Sequence, residues 1–431
     1  MLDRKLIAEK LEECARRLAT RGAEGLPLEE IVRLDRRRKE LQHAFDEARN
    51  QQSQLGPRIQ QAMKRGEEAS DLKAQSAELK AAVREHEASL REVEAQLHEL
   101  LLTVPNLPHP EAPLGGEDDG VVVRTEGEPK EFDFEPKDHV ALCEASGLAL
   151  LGERASKLAG ASFVTFLGEG ARLVRALINF FLDLHTREHG YTEVSPPFVA
   201  NRETMTGTGQ LPKFEEELYA IPRDGLYLIP TAEVPVTNLW RNEMIPGERL
   251  PLAYCAYTPC FRREAGAAGK MTRGLKRLHQ FDKVELVRFC HPEASDEQHQ
   301  LLLRHAEEPL RRLGLHYRIK ELATGDLGFA AARCYDIEAH SPATGEWLEV
   351  SSVSTFTDFQ ARRANIRFKD PKAPGSKGKA RKGFVHTLNG SGLALPRVIV
   401  ALLETYQRPE GGAVVPEALR PYLDGRELLG A

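Results

Sequence analysis

The sequence predicts an α+β protein, with an N-terminal antiparallel coiled-coil arm followed by a body built on a mostly antiparallel β-sheet flanked by helices. Apolar residues recur at heptad spacing over residues 34–104, which is typical of two long helices packed together. After a proline- and glycine-rich segment at 105–120, strand-like hairpins and amphipathic helical stretches follow one another. We therefore expect two domains, at 1–110 and 111–431.

Composition limits the class of protein. A chain of 431 residues with 41% hydrophobic and 29% charged residues is typical of a soluble globular protein with a large core. Its net charge of -6 means that any nucleic acid would have to bind through local basic patches. Six scattered cysteines without C-x-x-C spacing argue against a disulfide framework and against zinc.

The absence of two kinds of segment indicates the compartment. No apolar run approaches the ~18 residues of a membrane span. The N-terminus is charged throughout and lacks the apolar core of a signal peptide. The sequence therefore predicts a cytoplasmic protein that does not bind a membrane.

Two heptad runs, one on either side of Gly66, predict the arm at about 30–104. A tight turn is expected at Gly66. Gly56 and Pro57 interrupt the first run, and we expect a kink in the helix there. A short helical lead-in is expected before the arm, over residues 1–28.

Two interpretations of the arm remain open from its residues alone. A nearly balanced charge fits a solvated spacer or a dimerisation rod. Basic residues at the base of the arm and at its tip fit contacts with phosphates, and these residues are Arg36, Arg37, Arg38, Lys39, Lys64 and Arg65.

The body is predicted to begin with an amphipathic helix at 172–188, followed by a strand whose Pro196 and Pro197 require an edge position. Together they form a plausible dimer surface. The loop at 206–214 is expected to be mobile and to order on a ligand. A helix at 294–314 and strands at 317–321, 334–339 and 346–354 follow, with a final strand, turn and helix over 384–407. The basic loop at 370–383 is better explained as a disordered insertion than as a functional patch.

A predicted hairpin at 261–287 carries unusual side chains for a sheet surface. Arg262 and Glu264 are two residues apart on the first strand and would share a face. The residues expected to point one way on the second strand are Arg277, Phe281 and Glu285. A solvent-exposed hairpin with ion pairs is one explanation. The other is a surface that holds phosphates, a flat base and an ammonium group.

Two further segments favour the second explanation. A strand expected to end at 231–233 places Thr231 and Glu233 two residues apart, and the strand at 346–354 carries Glu349. No Walker loop and no G-x-G-x-x-G after a strand is present, so the usual nucleotide folds are not indicated. Phosphates would be bound by side chains, chiefly Arg262 and Arg397.

These segments resemble the three signature motifs of class II aminoacyl-tRNA synthetases: a helix and strand ending at Pro197, an F-R-x-E hairpin from Phe261, and a glycine turn and helix ending at Arg397. Within that class the chain resembles the bacterial seryl-tRNA synthetase family over essentially its whole length. The resemblance rests on the arm and on GTGQLPKF (207–214), TAEVP (231–235), HQFDKVE (279–285), FQARR (359–363) and HTLNGSG (386–392).

The resemblance implies the activity of a serine–tRNA ligase. L-serine would be activated by ATP to seryl-adenylate and then transferred to the 3′ end of tRNA(Ser), and also of tRNA(Sec). It further implies Mg²⁺ as cofactor and a homodimer, in which the arm grips the variable stem of the tRNA held by the other subunit.

The resemblance also assigns site residues. ATP binding falls to Arg262, Arg263, Glu264, Arg277, Leu278, Phe281, Glu349, Val350, Ser351, Ser352 and Arg397. Serine binding falls to Thr231, Ala232, Glu233, Arg262, Glu285, Asn389 and Ser391. The catalytic residues would be Arg262 at the α-phosphate, Arg397 at the far phosphates and Glu349. Glu349 and Ser352 would ligate Mg²⁺; because a spacing of three is awkward on a flat strand, we expect a bulge or a twist there.

Two alternatives from other classes remain. A paralogue could activate an amino acid and load it onto a carrier protein or a small molecule, but such relatives generally lack the arm. A catalytically inactive scaffold would be favoured by loss of Arg262, Glu264, Glu349 or Arg397, and all four are present.

Overall fold

The computed structural model describes residues 1–265, 274–372 and 379–430. The chain forms two compact units, Met1–Pro105 and Asn106–Ala431. The boundary between them lies within the segment at 105–120 that the sequence indicates as a linker. In the described part of the chain, no helix is both long and apolar enough to cross a membrane.

The first unit is helical, and its four helices are α1 (Arg4–Glu9), α2 (Leu11–Ala19), α3 (Leu28–Lys64) and α4 (Ser70–Thr103). The long helices α3 and α4 pack against each other, because apolar residues at heptad spacing, among them Leu41, Leu55 and Leu97, are buried between them. Gly66 makes the connecting turn with a φ of +69°. These helices confirm the predicted coiled-coil arm, and α3 continues through Pro57 without ending.

A buried carboxylate ties the base of the arm to the lead-in helix. Asp35 on α3 is 1% exposed and forms ion pairs with Arg4 of α1 at 3.0 Å, Arg38 at 3.1 Å and Lys39 at 2.8 Å. Burial alone would raise the pKa of Asp35, but hydrogen bonds from Lys39 and Arg38 outweigh it and lower this pKa below its ordinary value. The carboxylate therefore stabilises the fold above its unfolded pKa, and this contribution is lost as pH falls through the folded value.

We expect Asp35→Ala to destabilise the first unit by about 2 kcal/mol, because the substitution leaves three cations without their shared partner. Amide hydrogen exchange over residues 1–105 measures this opening separately from the second unit. Asp46→Ala, which removes an exposed carboxylate on the same helix, should change it by less than about 0.5 kcal/mol. Equal protection in the two variants would contradict the role of Asp35.

The second unit is built on strands β1 (Val121–Glu126), β2 (Ala149–Leu150), β3 (Thr165–Phe166), β4 (Thr192–Glu193), β5 (Val199–Asn201), β6 (Ala220–Ile221), β7 (Leu226–Leu228), β8 (Met244–Pro246), β9 (Leu252–Phe261), β10 (Gln280–Cys290), β11 (Tyr317–Glu321), β12 (Arg333–Ser341), β13 (Glu346–Thr355), β14 (Arg367–Lys369), β15 (Lys382–Phe384), β16 (His386–Ala394), β17 (Ala413–Val414) and β18 (Leu428–Leu429). The main sheet has eight strands in the order β1-β11-β12-β13-β16-β10-β9-β4. All neighbours are antiparallel except β4 and β9. The mostly antiparallel sheet is therefore as predicted.

The helices of this unit are α5 (His139–Ser146), α6 (Glu153–Ala159), α7 (Gly168–Arg187), α8 (Arg202–Thr208), α9 (Glu233–Thr237), α10 (Ser295–Arg312), α11 (Phe359–Ala364) and α12 (Leu395–Thr405). Helices α7, α10 and α12 pack on one face of the main sheet and bury Val284 and Leu286 of β10. Since successive residues of a strand point to opposite faces, Glu285 points away from these helices. Phe281, near the start of β10, packs against the same apolar cluster.

The hairpin at 261–287 differs from the prediction in where its strands end. Strand β9 ends at Phe261 and β10 begins at Gln280, so Arg262, Glu264 and Arg277 all lie outside the ladder. Alternation along a strand therefore does not orient them, and Glu264 adopts a φ of +52°. The central part of the predicted glycine-rich loop, at 266–273, lies outside the described residues.

Three other predictions are corrected by local structure. Glu233 begins α9 rather than ending a strand, because β7 stops at Leu228. Residues 206–208 of the expected mobile loop are the last turn of α8. The two prolines at 196–197 separate β4, which is the predicted edge strand, from β5 in another sheet.

Two segments that were expected to be irregular contain ordered structure. In the linker at 105–120, Asn106 is buried, and its amide donates to the carbonyls of Ala330 at 2.9 Å and Phe356 at 2.8 Å. At the end of the basic loop, Lys382 and Gly383 belong to β15. Residues 373–378 of that loop lie outside the described residues.

Candidate active site

The second unit contains a cavity of ≈ 700 Å³ on the face of β10 that α7, α10 and α12 leave free. The predicted site residues that line it are Thr231, Glu233, Arg262, Glu264, Arg277, Leu278, Phe281, Glu349, Val350, Ser351, Ser352, Asn389, Ser391 and Arg397. Fourteen of the seventeen sequence-predicted residues are thus brought together. The three that do not line the cavity are Ala232, Arg263 and Glu285. Ala232 packs in a neighbouring apolar cluster, Arg263 is exposed, and Glu285 is completely buried.

One end of the cavity combines a cation with an aromatic ring. The guanidinium carbon of Arg262 lies 5.1 Å from the centre of the Phe281 ring, a cation–π contact. The backbone N–H of Arg262 donates to the carbonyl of His279 at 2.9 Å and continues the hairpin beyond β9. Glu264 pairs with Arg277, whose Nε donates to its carboxylate at 2.6 Å. A planar ring and phosphate oxygens could both bind at this end.

Arg397 connects two segments of the cavity wall. It follows Pro396 in the first turn of α12, where a proline is tolerated because its missing N–H is not needed. Its Nε donates to the carbonyl of Lys276 at 3.1 Å, and its Nη1 donates to the carbonyl of Glu349 at 2.6 Å. The guanidinium is also 3.3 Å from the Glu349 carboxylate.

Strand β13 contains the bulge that the sequence predicts. Ser351 pairs with Ile337 of β12 and Glu349 pairs with Glu338, so that Val350 between them has no opposite residue. The carboxyl of Asp336 on β12 lies near this bulge. Burial and the neighbouring charge of Glu349 raise its pKa well above the ordinary value.

The donor set near the bulge fits Mg²⁺, which uses one or two carboxylates together with phosphates and water. The carboxylates of Asp326, Asp336, Glu338 and Glu349 all line the cavity, with the hydroxyl of Ser352 beside them. Among the described residues, no group of three or more His, Cys, Asp or Glu side chains forms a metal site on its own. Mg²⁺ commonly completes its coordination with phosphate oxygens of a bound nucleotide.

A buried ion pair closes the part of the cavity around Thr231. Glu285 pairs with Lys283 of the same strand and accepts hydrogen bonds from the Thr231 hydroxyl at 2.8 Å and the Asn389 amide at 2.9 Å. The ammonium of Lys283 also donates to Thr231 at 2.9 Å. Both charges are nearly fully buried, so each requires the other.

A second carboxylate beside this pair faces the cavity. Glu233 accepts hydrogen bonds from the Gln360 amide at 2.6 Å and the Asn389 amide at 3.1 Å. Burial, together with the negative charge of Glu285, raises the pKa of Glu233 to about 7. The positive charges of Lys283 and Arg262 oppose this rise. Because Lys283 is paired with Glu285, the carboxylate of Glu233 could still bind a further cation.

Sequence reasoning missed three of these residues. Lys283 lies two residues from both Phe281 and Glu285, so the period of a strand could have found it. Gln360 lies within FQARR and Asp336 within a predicted strand, but neither carries a local signal of its role.

The matches to known proteins follow the same two units. Residues 1–108 match the family model "Seryl-tRNA synthetase N-terminal domain", and residues 214–406 match "tRNA synthetase class II core domain (G, H, P, S and T)". The chain is 52% identical over 430 residues to the serine–tRNA ligase of Citrifermentans bemidjiense, with 100% of both chains covered. The chain belongs to the seryl-tRNA synthetase family. The serine–tRNA ligase of Geobacter sulfurreducens is 50% identical, again over 100% of both chains.

Solved members of this family share the fold over the whole chain. A seryl-tRNA synthetase from Pyrococcus horikoshii, complexed with ATP, is 37% identical with a TM-score of 0.90, and 100% of this chain and 99% of that chain are covered. A serine–tRNA ligase from Naegleria fowleri, in complex with AMP, is 26% identical with a TM-score of 0.85. Family membership confirms the predicted fold class and the predicted ATP-dependent serine–tRNA ligase.

Proposed function

We propose that the cavity is the place where L-serine and ATP react to seryl-adenylate, before serine is transferred to the 3′ end of tRNA(Ser). The observation that carries this proposal is one cavity lined by Arg262 and Arg397, which would bind phosphates, and by Glu233, which would bind a cation. These groups match ATP phosphates and an amino-acid ammonium in adjoining positions.

ATP–pyrophosphate exchange with each of the twenty amino acids, followed by charging of purified tRNA(Ser), tests this proposal. We expect exchange with serine and charging of the tRNA. Exchange without charging would indicate the carrier-loading alternative, and no exchange with any amino acid would indicate a scaffold.

The reaction needs positioning and charge neutralisation rather than a protein nucleophile. A carboxylate oxygen of serine attacks the α-phosphorus, and the bond from that phosphorus to pyrophosphate breaks. Arg262 would bind the α-phosphate and Arg397 the far phosphates, so that guanidinium groups face the oxygens where negative charge develops. Glu264, Leu278 and Phe281 would hold the adenine.

Mg²⁺ would be held by Glu349 and Ser352 at the bulge of β13, where it neutralises phosphate charge when bound. The bulge supports this proposal because it removes the strict alternation that would otherwise separate these two side chains. Arg397 contacts the carbonyl of Glu349 and would hold the arginine and the metal ligand in a fixed relation.

Glu233 would bind the ammonium of serine, since Glu285 is already paired with Lys283. Because the pKa of Glu233 is about 7, its carboxyl loses its charge as pH falls below that value. We expect the KM for serine to rise towards about tenfold per pH unit in the acid range.

The KM for serine, measured between about pH 5.5 and 8.5 at saturating ATP, tests this dependence. Glu233→Gln is the matched variant, because it keeps the shape of the side chain and cannot titrate. It should have a raised KM for serine that does not change over this pH range. A wild-type KM that is flat over the same range would contradict the assignment.

We further propose a cytoplasmic homodimer that also charges tRNA(Sec). Helix α7 and the edge strand β4 would form the dimer surface, and the arm would grip the variable stem of the tRNA held by the other subunit. Exposed basic side chains at the base and tip of the arm support backbone contacts, and these are Arg36, Arg37, Lys39, Lys64 and Arg65.

A further inference from the structure

A buried histidine–glutamate pair lies behind the segment that brings residues 275–278 to the cavity. His139 begins α5 and is 2% exposed, and Glu404 lies near the end of α12 and is 0% exposed. One carboxylate oxygen of Glu404 accepts from the backbone N–H of His139 at 3.0 Å and lies 3.1 Å from its Nδ1. The other oxygen accepts from the hydroxyl of Ser341. None of these three residues lines the cavity.

The network determines which ring nitrogen of His139 carries the proton. The backbone N–H of Leu275 donates to Nε2 of His139 at 3.2 Å. Because Nε2 accepts, it carries no proton, and the neutral ring holds its proton on Nδ1. Glu404 accepts that proton, and so it selects the tautomer that leaves Nε2 available to Leu275.

Gly274 shows how closely this segment rests on the histidine. Its φ is +81°, and a Cβ at this position would lie 2.2 Å from Nε2 of His139 and 2.7 Å from Cγ2 of Val140. Only glycine allows both that backbone conformation and that approach. The backbone at Gly274 and Leu275 is therefore held directly by the ring of His139.

The next two residues involve two of the three arginines that line the cavity, Arg277 and Arg397. The carbonyl of Lys276 accepts from Nε of Arg397, and Arg277 pairs with Glu264. A displacement of Leu275 would therefore move Arg277 directly and would move Arg397 through the carbonyl of Lys276. The ion pair from Lys276 to Glu346 also holds this segment.

We propose that His139 is a positioning residue for ATP. Its Nε2 accepts from Leu275 and thereby places Lys276 and Arg277, so that Arg277 and Arg397 are in position to contact the nucleotide. Glu404 supports it by fixing the tautomer. This inference rests on the proposed ATP site, but it concerns two residues that do not line the cavity, His139 and Glu404.

A pair of substitutions separates positioning from packing. His139→Asn can still donate to Glu404 but is too short to accept from Leu275, whereas His139→Gln can place a carbonyl oxygen near the position of Nε2. For His139→Asn, we expect the Kd for ATP, measured by calorimetry with Mg²⁺, to rise about tenfold, with the KM for serine changed by less than about twofold. His139→Gln should restore the Kd for ATP to within about threefold of wild type.

Leu419→Ala controls for general loss of stability, because it removes a completely buried side chain at a residue that does not line the cavity. It should lower the melting temperature without changing the Kd for ATP. If His139→Asn does not fold, Glu404→Gln, which keeps the volume of the side chain, should raise the Kd for ATP about threefold.

An unchanged Kd for ATP in the folded His139→Asn variant would overturn the inference, as would a His139→Gln variant no better than Asn. Equal relative increases in the Kd for ATP and in the KM for serine would indicate a packing defect alone and would also overturn the inference. If the wild type bound ATP but showed no serine-dependent exchange, the proposed function would fail while this inference stayed testable through the Kd.

Discussion

Arg262→Ala is expected to abolish formation of the adenylate, with a loss of about a thousandfold or more in serine-dependent pyrophosphate exchange. The reason is that the mechanism has no protein nucleophile, so a guanidinium at the α-phosphate carries a large share of the catalysis. The same substitution removes the cation that lies against Phe281. It therefore affects both the phosphates and the adenine.

The fold of this variant should remain intact, because the Arg262 side chain is exposed and its side-chain hydrogen bond to the Pro230 carbonyl is a long one of 3.4 Å. We expect a change in unfolding free energy of less than about 1 kcal/mol. Arg154→Ala, at an exposed arginine on α6 that does not line the cavity, is the matched control and should keep full exchange. Retained exchange in Arg262→Ala would refute the assignment of this arginine.

Local periodicity explains what the sequence could predict. Heptads located the arm, because two helices can bury their apolar stripes only against each other. Alternation along β10 predicts one face for Phe281, Lys283 and Glu285, and two of these residues, Phe281 and Lys283, line the cavity. Near Glu349, a strand that needed two side chains three apart correctly indicated a bulge.

Interactions between distant parts of the chain explain what the sequence could not predict. Gln360 reaches Glu233 across 127 residues, and Asn106 reaches Ala330 across 224. No periodic pattern reports such contacts. Glu264 lies beyond the end of β9 in a left-handed conformation, so its position depends on its ion pair with Arg277 and not on the strand.

The same limit applies to the electrostatics of the site. The sequence showed that Glu233 and Glu285 were both available for serine, but not which of them was already neutralised. In the structure, Lys283 pairs with Glu285, whereas Glu233 accepts hydrogen bonds from the amides of Gln360 and Asn389. Lys283, two residues before Glu285 on β10, therefore distinguishes the two glutamates, because it neutralises Glu285.

Shortening the arm should separate the two steps of the reaction. Replacing residues 46–88 by a short glycine–serine linker removes the distal parts of α3 and α4 and keeps Asp35 with its ion pairs to Arg4, Arg38 and Lys39. Serine-dependent pyrophosphate exchange should stay within about twofold of wild type, because every residue proposed to bind ATP or serine lies beyond residue 230. Charging of tRNA(Ser) should fall about a hundredfold, as several backbone contacts of roughly 1 kcal/mol each are lost.

The salt dependence of charging distinguishes a lost tRNA contact from a general defect. Lys64→Ala combined with Arg65→Ala removes two exposed cations at the tip without shortening the arm. If the tip contacts phosphates, the KM of the variant for tRNA should be raised. The slope of log KM against the logarithm of the salt concentration should fall by up to about two, or about one for each cation removed. Undiminished charging by the shortened arm would mean that α3 and α4 serve another partner. An unchanged salt slope in the double variant, together with impaired charging by the shortened arm, would place the tRNA contacts below the tip.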